Sequence, residues 1–476
     1  MEDRMERMMD EALRLGAEHV ELRHQEDLSR SYLLKNGCPE MSASEASSGI
    51  SFRVLVDGAL GFGASNHPDE SVIRDVLQRC VRNTRSSARM RDRPIRLAEE
   101  DACRASYQVS QRRPFQDRES DIQDYLRSVD SAALEGVRSQ GADLPGRFLQ
   151  LEVLQTSKLF INSEGSRVES VIPRCMMHMI LTAVGPQGSA QRSLSRGGSG
   201  GWEVVDSWDL LRAAKDEGAM LAKVLTHAQP LRGDVYDVIL GPEVVGLVAH
   251  ESSGHPAEAD RILGREAAQA GETYLDQDSR GLRVGSELVN VVDDPTLPNS
   301  FGYYLYDDEG VKARPRDLIR GGVIEEFLHN RETGAEMGCG SNGSSRSLSF
   351  NREPIVRMAN TFVAPGDHSL AEMLEGIKNG VLIKNFMEWN IDDRRYNQRY
   401  VGLEAHLVKD GELVGLVRNP ALEISTPALW SAVDAVGKDL SFDSAFCGKG
   451  DPMQGIPVWT GGPHLRLRDV RLGGSA

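Results

Sequence analysis

One segment constrains this chain more than any other: GPEVVGLVAHESSGHPAEADRILGREA, residues 241–267. It opens on Gly241-Pro242 and an apolar run, Val244, Val245, Leu247 and Val248, which predicts a buried helix. That helix leads directly into His250-Glu251-Ser252-Ser253-Gly254-His255. Two imidazoles and an intervening carboxylate are the parts of a hydrolytic metal site, where ring nitrogens hold the ion and the acid moves protons. The common short arrangement spaces the histidines by four, on one helix face. Here they are five apart, which at about 100° per residue leaves them roughly 140° from each other on a regular helix. Both can reach one ion only if the helix ends or distorts between them. Gly254 and Pro256 stand where that distortion must fall. The competing reading is a helix C-terminus whose histidines cap carbonyl groups. The apolar run favours the metal site, because it holds the first histidine rigidly.

A catalytic zinc commonly takes three protein ligands and keeps a fourth position open. Among the six cysteines, Cys447 is best placed, in the glycine-rich stretch SFDSAFCGKGDPMQG, which reads as a loop able to approach an ion closely. Cys339, between Gly338 and Gly340, is the next candidate, and His329, His406, Glu258 and Asp260 are further ones. Composition and spacing do not choose among them. No two cysteines form a CxxC, which argues against a zinc ribbon or a disulfide framework and points to a reducing compartment.

The formal net charge over 476 residues is −16. An acidic chain lacks the clustered cations that general nucleic-acid or anionic-membrane binding needs. The one basic stretch, residues 85–97, has no interleaved aromatics and reads as a connector. The N-terminus, MEDRMERMMDEALRLG, predicts an amphipathic helix packed through its methionines, not a signal peptide. No apolar stretch approaches the roughly 20 residues of a membrane helix. The expected location is the cytoplasm.

Patterning predicts an α+β protein in two domains, an N-terminal mixed domain over 1–230 and a C-terminal β-rich domain over 231–476 carrying the metal-site helix. Asp57-Gly58 between two alternating runs predicts a hairpin. Short strands are expected at His19–Arg23, Ser31–Leu34, Phe148–Leu154, Leu159–Asn162 and Val168–Ala183. Residues 185–201, GPQGSAQRSLSRGGSGG, read as a flexible flap or linker. Residues 429–436 read as helix, and Asp307-Asp308-Glu309 and Asp392-Asp393 as turns.

The motifs now in hand resemble the TldD/PmbA family, in its metal-binding TldD branch. The matching blocks are His250-Glu251-Ser252-Ser253-Gly254-His255, Pro354-Ile355-Val356-Arg357-Met358-Ala359-Asn360-Thr361 with Pro365-Gly366, and Cys447-Gly448-Lys449 with Pro457-Val458 and Gly461-Gly462-Pro463. The Asn162-Ser163-Glu164-Gly165 turn also looks like the family. The resemblance implies a metallopeptidase with zinc held by His250, His255 and Cys447, and with Glu251 as the general base on the metal-activated water. Iron or another divalent ion is compatible with a thiolate-containing set. It further implies a dimer, of this chain with itself or with a PmbA/TldE-like paralogue, enclosing a cleft for short or unfolded peptides that lie extended as an added strand. The segment Trp389–Gln398 departs from the best-known bacterial members. Candidates for stabilising the oxyanion are His329, Arg357 and Tyr396. Two other readings compete: a metal-dependent amidase acting on a small or modified substrate, and a non-catalytic regulatory subunit of a peptidase complex.

Overall fold

A computed structural model describes residues 1–185, 188–266 and 271–474, without the side chains of 118 and 119. The fold is α+β, with a strand-rich C-terminal half. In the first half, β1 (His19–Lys35), β2 (Cys38–Val56), β3 (Ala59–Ser65), β4 (Arg104–Gln108), β5 (Asp143–Asn162), β6 (Arg167–Gly185) and β7 (Gly188–Ser199) form one sheet. Its order is β3-β2-β1-β5-β6, and β6 pairs with β4 along its start and with β7 along the rest. Asp57 and Gly58 both take positive φ, 50° and 72°, as a two-residue hairpin turn requires. Strand β1 is continuous where the sequence suggests two short runs. Its polar middle, Glu26–Arg30, pairs with β2 on one side and β5 on the other. Backbone hydrogen bonds on both edges hold what the side-chain pattern does not advertise.

Helices cover this sheet. Glu2–Arg14 buries Met5 and Met8 against Leu22, Phe52 and Leu77, the last from the helix Glu70–Ala88. Ile122–Arg138 and Leu210–His227 pack on Leu149, Leu151, Met177 and Leu181. Residues 188–199, expected as flap or linker, are strand β7. Ala190, Arg192 and Leu194 turn inward at alternate positions. Buried Arg192 is gripped by Glu217 (2.8 and 3.0 Å) and by Glu243 (both contacts 2.6 Å). A period-2 pattern whose inward member is a paired arginine looks like low complexity in one dimension.

The second half holds two larger sheets. The first runs Val323–Ile324, Arg316–Arg320, Val291–Asp293, Asn360–Val363, Gln454–Gly462 and Ser441–Lys449 in spatial order. The second starts at Phe386–Ile391 and continues through Asn397–Gly402, Ala421–Ser425, Leu465–Gly473, Asp234–Leu240 and Asn379–Ile383 to Ala405–Lys409 and beyond. Between them lies the helix Pro242–Ala249, whose Val244, Val245 and Val248 join a core with Leu240, Val381, Val458 and Leu465. A Cβ on Gly246 would stand 2.8 Å from the Gly461 backbone nitrogen, so glycine is what lets helix and strand meet this closely. The helix expected at 429–436 is instead Thr426–Ser431 followed by the strand Val433–Val436, captured by pairing with Leu465–Leu467.

Ion pairs join the halves. Lys158 reaches Asp308 at 2.7 Å, and Arg331 takes Glu164 at 2.7 and 2.9 Å. Asp308 and Glu309 stand in a turn, as expected, yet with Asp307 they are buried, and Glu309 pairs with Arg53. Among the described residues, no helix is long and apolar enough to cross a membrane.

Candidate metal centre

The α-helix ends at Ala249, and His250–Gly254 continue it as a single π turn before a 3₁₀ turn at His255–Ala257. The backbone N–H of His255 donates to the carbonyl of His250. A π turn links residues five apart, so the wider turn answers the spacing problem: both histidines lie one turn from each other. Their rings meet edge to face with centroids 4.8 Å apart. The chain distorts without ending, and Gly254 shows why that residue is small. A Cβ there would fall 1.9 Å from Met358 Sδ.

Cys447 arrives from the other side. It lies not in a loop but on the strand Ser441–Lys449, and its Sγ is 3.4 Å from His255 Nε2. The ligand atoms of His250, His255 and Cys447 all lie within 4.8 Å of one another, and all three residues are buried. Two imidazoles and a thiol converging from two elements form a soft donor set that suits zinc. His250 Nδ1 is buried with no hydrogen-bond partner, an orphan that a metal would satisfy. Burial holds both imidazoles below their usual pKa, keeping them in the neutral, ligating form. Burial also opposes ionisation of Cys447, but neighbouring His255 and Arg357 outweigh it and bring the thiol down to about 7.

Behind the donors stands a layer of buried charge. His255 Nδ1 is 2.9 Å from Glu258 Oε2, which leaves Nε2 for the centre. Glu258 also accepts from Arg261 Nε at 2.7 Å and lies 3.4 Å from Lys449 Nζ. Burial would raise the Glu258 pKa, yet Lys449, His255 and Arg261 hold it well below the usual carboxylate range. Lys449 in turn binds Asp260 at 2.6 Å and the Val356 carbonyl at 2.8 Å. Arg357, fully buried, donates to the carbonyls of Gln454 and Cys447 and fastens the cysteine hairpin.

The other third-ligand candidates are placed elsewhere. Glu258 orients His255, and Asp260 anchors Lys449. His329 contacts Cys339 (3.3 Å) and Thr333, and His406 contacts Glu404 at 3.2 Å. Among the oxyanion candidates, Arg357 is spent on carbonyls, His329 lies with Cys339, and Tyr396 packs on Tyr274. Glu251 lies beside the donors in a cleft of about 560 Å³. Its carboxylate pairs with Arg395, a residue the sequence reading passed over. No local signal marks it, because the contact spans 144 positions.

Three sheet-terminal strands line this cleft: β7, Phe386–Ile391 and Ser441–Lys449. Among the described residues, each is hydrogen-bonded to a neighbouring strand on one side only. A buried His/His/Cys cluster with an adjacent acid, at the base of a cleft of that size, defines the kind of site used by metal-dependent hydrolases.

Comparison with known proteins gives the family. The chain matches models of the PmbA/TldA metallopeptidase domain 1 over 20–88, the central domain over 113–226 and the C-terminal domain over 233–474. It is 32% identical to a metalloprotease of Methanocaldococcus jannaschii, over 92% of this chain and 93% of that one. It is also 32% identical to a zinc metalloprotease TldD homolog of Saccharolobus solfataricus, over 57% and 58%. Among solved structures, TldE from Thermococcus kodakarensis superposes with a TM-score of 0.73 at 16% identity, covering 99% of this chain and 100% of that one. A Thermotoga maritima protein reaches 0.76 at 17% identity with the same coverage. The chain belongs to the PmbA/TldD family of metallopeptidases.

Proposed function

We propose that this chain is a zinc-dependent peptidase that hydrolyses short or unfolded peptides, with His250, His255 and Cys447 as metal ligands and Glu251 as the general base. The observation that carries the reading is the convergence of the three donor atoms within 4.8 Å, beside Glu251, in the cleft. The name of the Saccharolobus relative supports zinc. When bound, the metal supplies a Lewis acid that acidifies water and polarises a peptide carbonyl. Glu251 takes the proton of the attacking water and passes it to the leaving amine. Glu258 fixes the tautomer and orientation of His255. The cleft's terminal strands offer unpaired backbone groups to an extended peptide, which is recognition through the main chain with little demand on side chains. A folded protein cannot present its chain this way. Bounding strands with one free edge favour a peptide over the small-molecule amide of an amidase, and an intact donor set argues against a non-catalytic subunit.

The proposed assembly is a dimer with a second chain of this fold, itself or a TldE-like paralogue. Light scattering of the purified chain, alone and with such a paralogue, tests it. The activity is tested by incubating zinc-loaded protein with a mixed peptide library and reading new termini by mass spectrometry. Glu251→Gln should keep the metal and lose hydrolysis. Full turnover in that variant would remove Glu251 from the mechanism.

A further inference from the structure

The hairpin of Phe386–Ile391 and Asn397–Gly402 lies against the π turn. Gln398 accepts a 2.5 Å hydrogen bond from the Ser252 hydroxyl. The hairpin tip is tied by Asp392, whose carboxylate accepts from the backbone N–H groups of Tyr396 (2.8 Å) and Asn397 (3.0 Å). Within that tip Arg395 holds φ 60°, a left-handed conformation that a residue with a long side chain rarely adopts. The Thr426 hydroxyl donates to the Arg395 carbonyl at 2.9 Å and secures it. The result is a guanidinium, its side chain 11% exposed, lining the cleft with Glu251, His250 and His255. Its Nη1 pairs with Glu251, and its Nε is buried without a hydrogen-bond partner.

We propose that Arg395 is a catalytic residue, donating to the carbonyl oxygen of the scissile peptide and holding the negative charge that develops there. The proposal rests on the peptidase reading of this site. Water oxygen bonds to the carbonyl carbon while its proton passes to Glu251. The C=O π pair moves onto oxygen, where the Arg395 N–H groups receive it. The pair then reforms C=O as the C–N bond breaks, and the amine leaves with the proton that Glu251 carried. A guanidinium suits this task because it is a permanent cation that offers several N–H groups in a fixed fork. Its pairing with Glu251 holds donor and base together in the cleft.

The test compares full-length, zinc-loaded wild type with Arg395→Asn, Arg395→Lys and Glu251→Gln. Asparagine tolerates the left-handed turn, so Arg395→Asn deletes the guanidinium while sparing the backbone. Expected are unchanged zinc content and melting temperature, kcat lower by about 10²–10³-fold, and KM changed by much less. Millimolar guanidinium chloride should restore part of the turnover. A phosphinic peptide, which mimics the tetrahedral carbon, should bind Arg395→Asn more weakly, while a product peptide binds as before. Arg395→Lys should fall between. Wild-type kcat in Arg395→Asn, with Glu251→Gln inactive, overturns the role of Arg395 alone. Loss of zinc or of folding in Arg395→Asn without guanidinium rescue makes the residue structural and also overturns it. A wild type with no zinc-dependent hydrolysis overturns the peptidase reading and this proposal together.

Discussion

Replacing Glu258 with glutamine keeps the shape of the side chain and removes its charge. Glu258 is fully buried and faces three partners: His255 Nδ1, Arg261 Nε and Lys449 Nζ. Two separable effects follow. In metal-free protein, Arg261 and Lys449 lose a shared counter-charge in a site with almost no solvent. Removing one member of a buried ion cluster costs about 3–5 kcal/mol. The lower end applies here, because Lys449 keeps Asp260 and glutamine keeps one hydrogen bond. In the metal-bound protein, His255 Nδ1 exchanges a carboxylate acceptor for a neutral amide oxygen that Arg261 also claims, so its tautomer is held less firmly; loss of such support typically costs 10–100-fold in affinity, or about 1.4–2.7 kcal/mol. The assay is urea unfolding of the apo protein, then zinc competition against a chromogenic chelator. The expected results are a lower unfolding midpoint and a weaker zinc Kd. A destabilised apo protein with wild-type zinc affinity would show that Glu258 only neutralises cations and does not orient His255.

Three further outcomes follow from the same geometry. Gly254→Ala should lower stability by about 1–3 kcal/mol by forcing Met358 out of the π turn, and should lower metal content with it; wild-type thermal melting would refute the packing argument. Arg192→Met should cost about 3 kcal/mol in urea unfolding, because Glu217 and Glu243 lose the cation they share; an unchanged midpoint would mean β7 is held by its backbone alone. His19 is buried, which alone would lower its pKa, but Glu164 and Glu21 raise it from 6.5 to about 9. Because the folded value is the higher one, this stabilisation is complete below about pH 6.5 and is lost as pH rises through about 9. Unfolding free energy should fall by ~3 kcal/mol across that window and fall less in His19→Gln; identical pH profiles would contradict it.

Local chemistry was legible in the sequence where it is written in adjacent residues. The Asp57-Gly58 hairpin, the methionine-faced first helix and the apolar helix leading to His250 are of this kind. The two histidines declared a distortion between them, but spacing could not say that it is a wider turn and not a break. Cys447 was legible as a residue and misread as a loop. Gly448, Gly450 and Gly455 suggest flexibility, yet only Gly450 occupies a positive φ at the turn, while Gly448 and Gly455 pair across the hairpin. What stayed illegible is what depends on long-range pairing. Strand β7 is defined by β6 and by Arg192's distant glutamates, and Arg395 meets Glu251 only because the second-half sheet brings a hairpin over the π turn.

The central claim is that three side chains from two elements hold one catalytic metal. Its most direct test is metal content by mass spectrometry, on protein purified without chelator or metal-affinity resin, with Cys447→Ala beside wild type. The account predicts about one zinc per wild-type chain and little in the variant. Full occupancy in Cys447→Ala, or a wild type that takes up no metal even after zinc is added back, would contradict it.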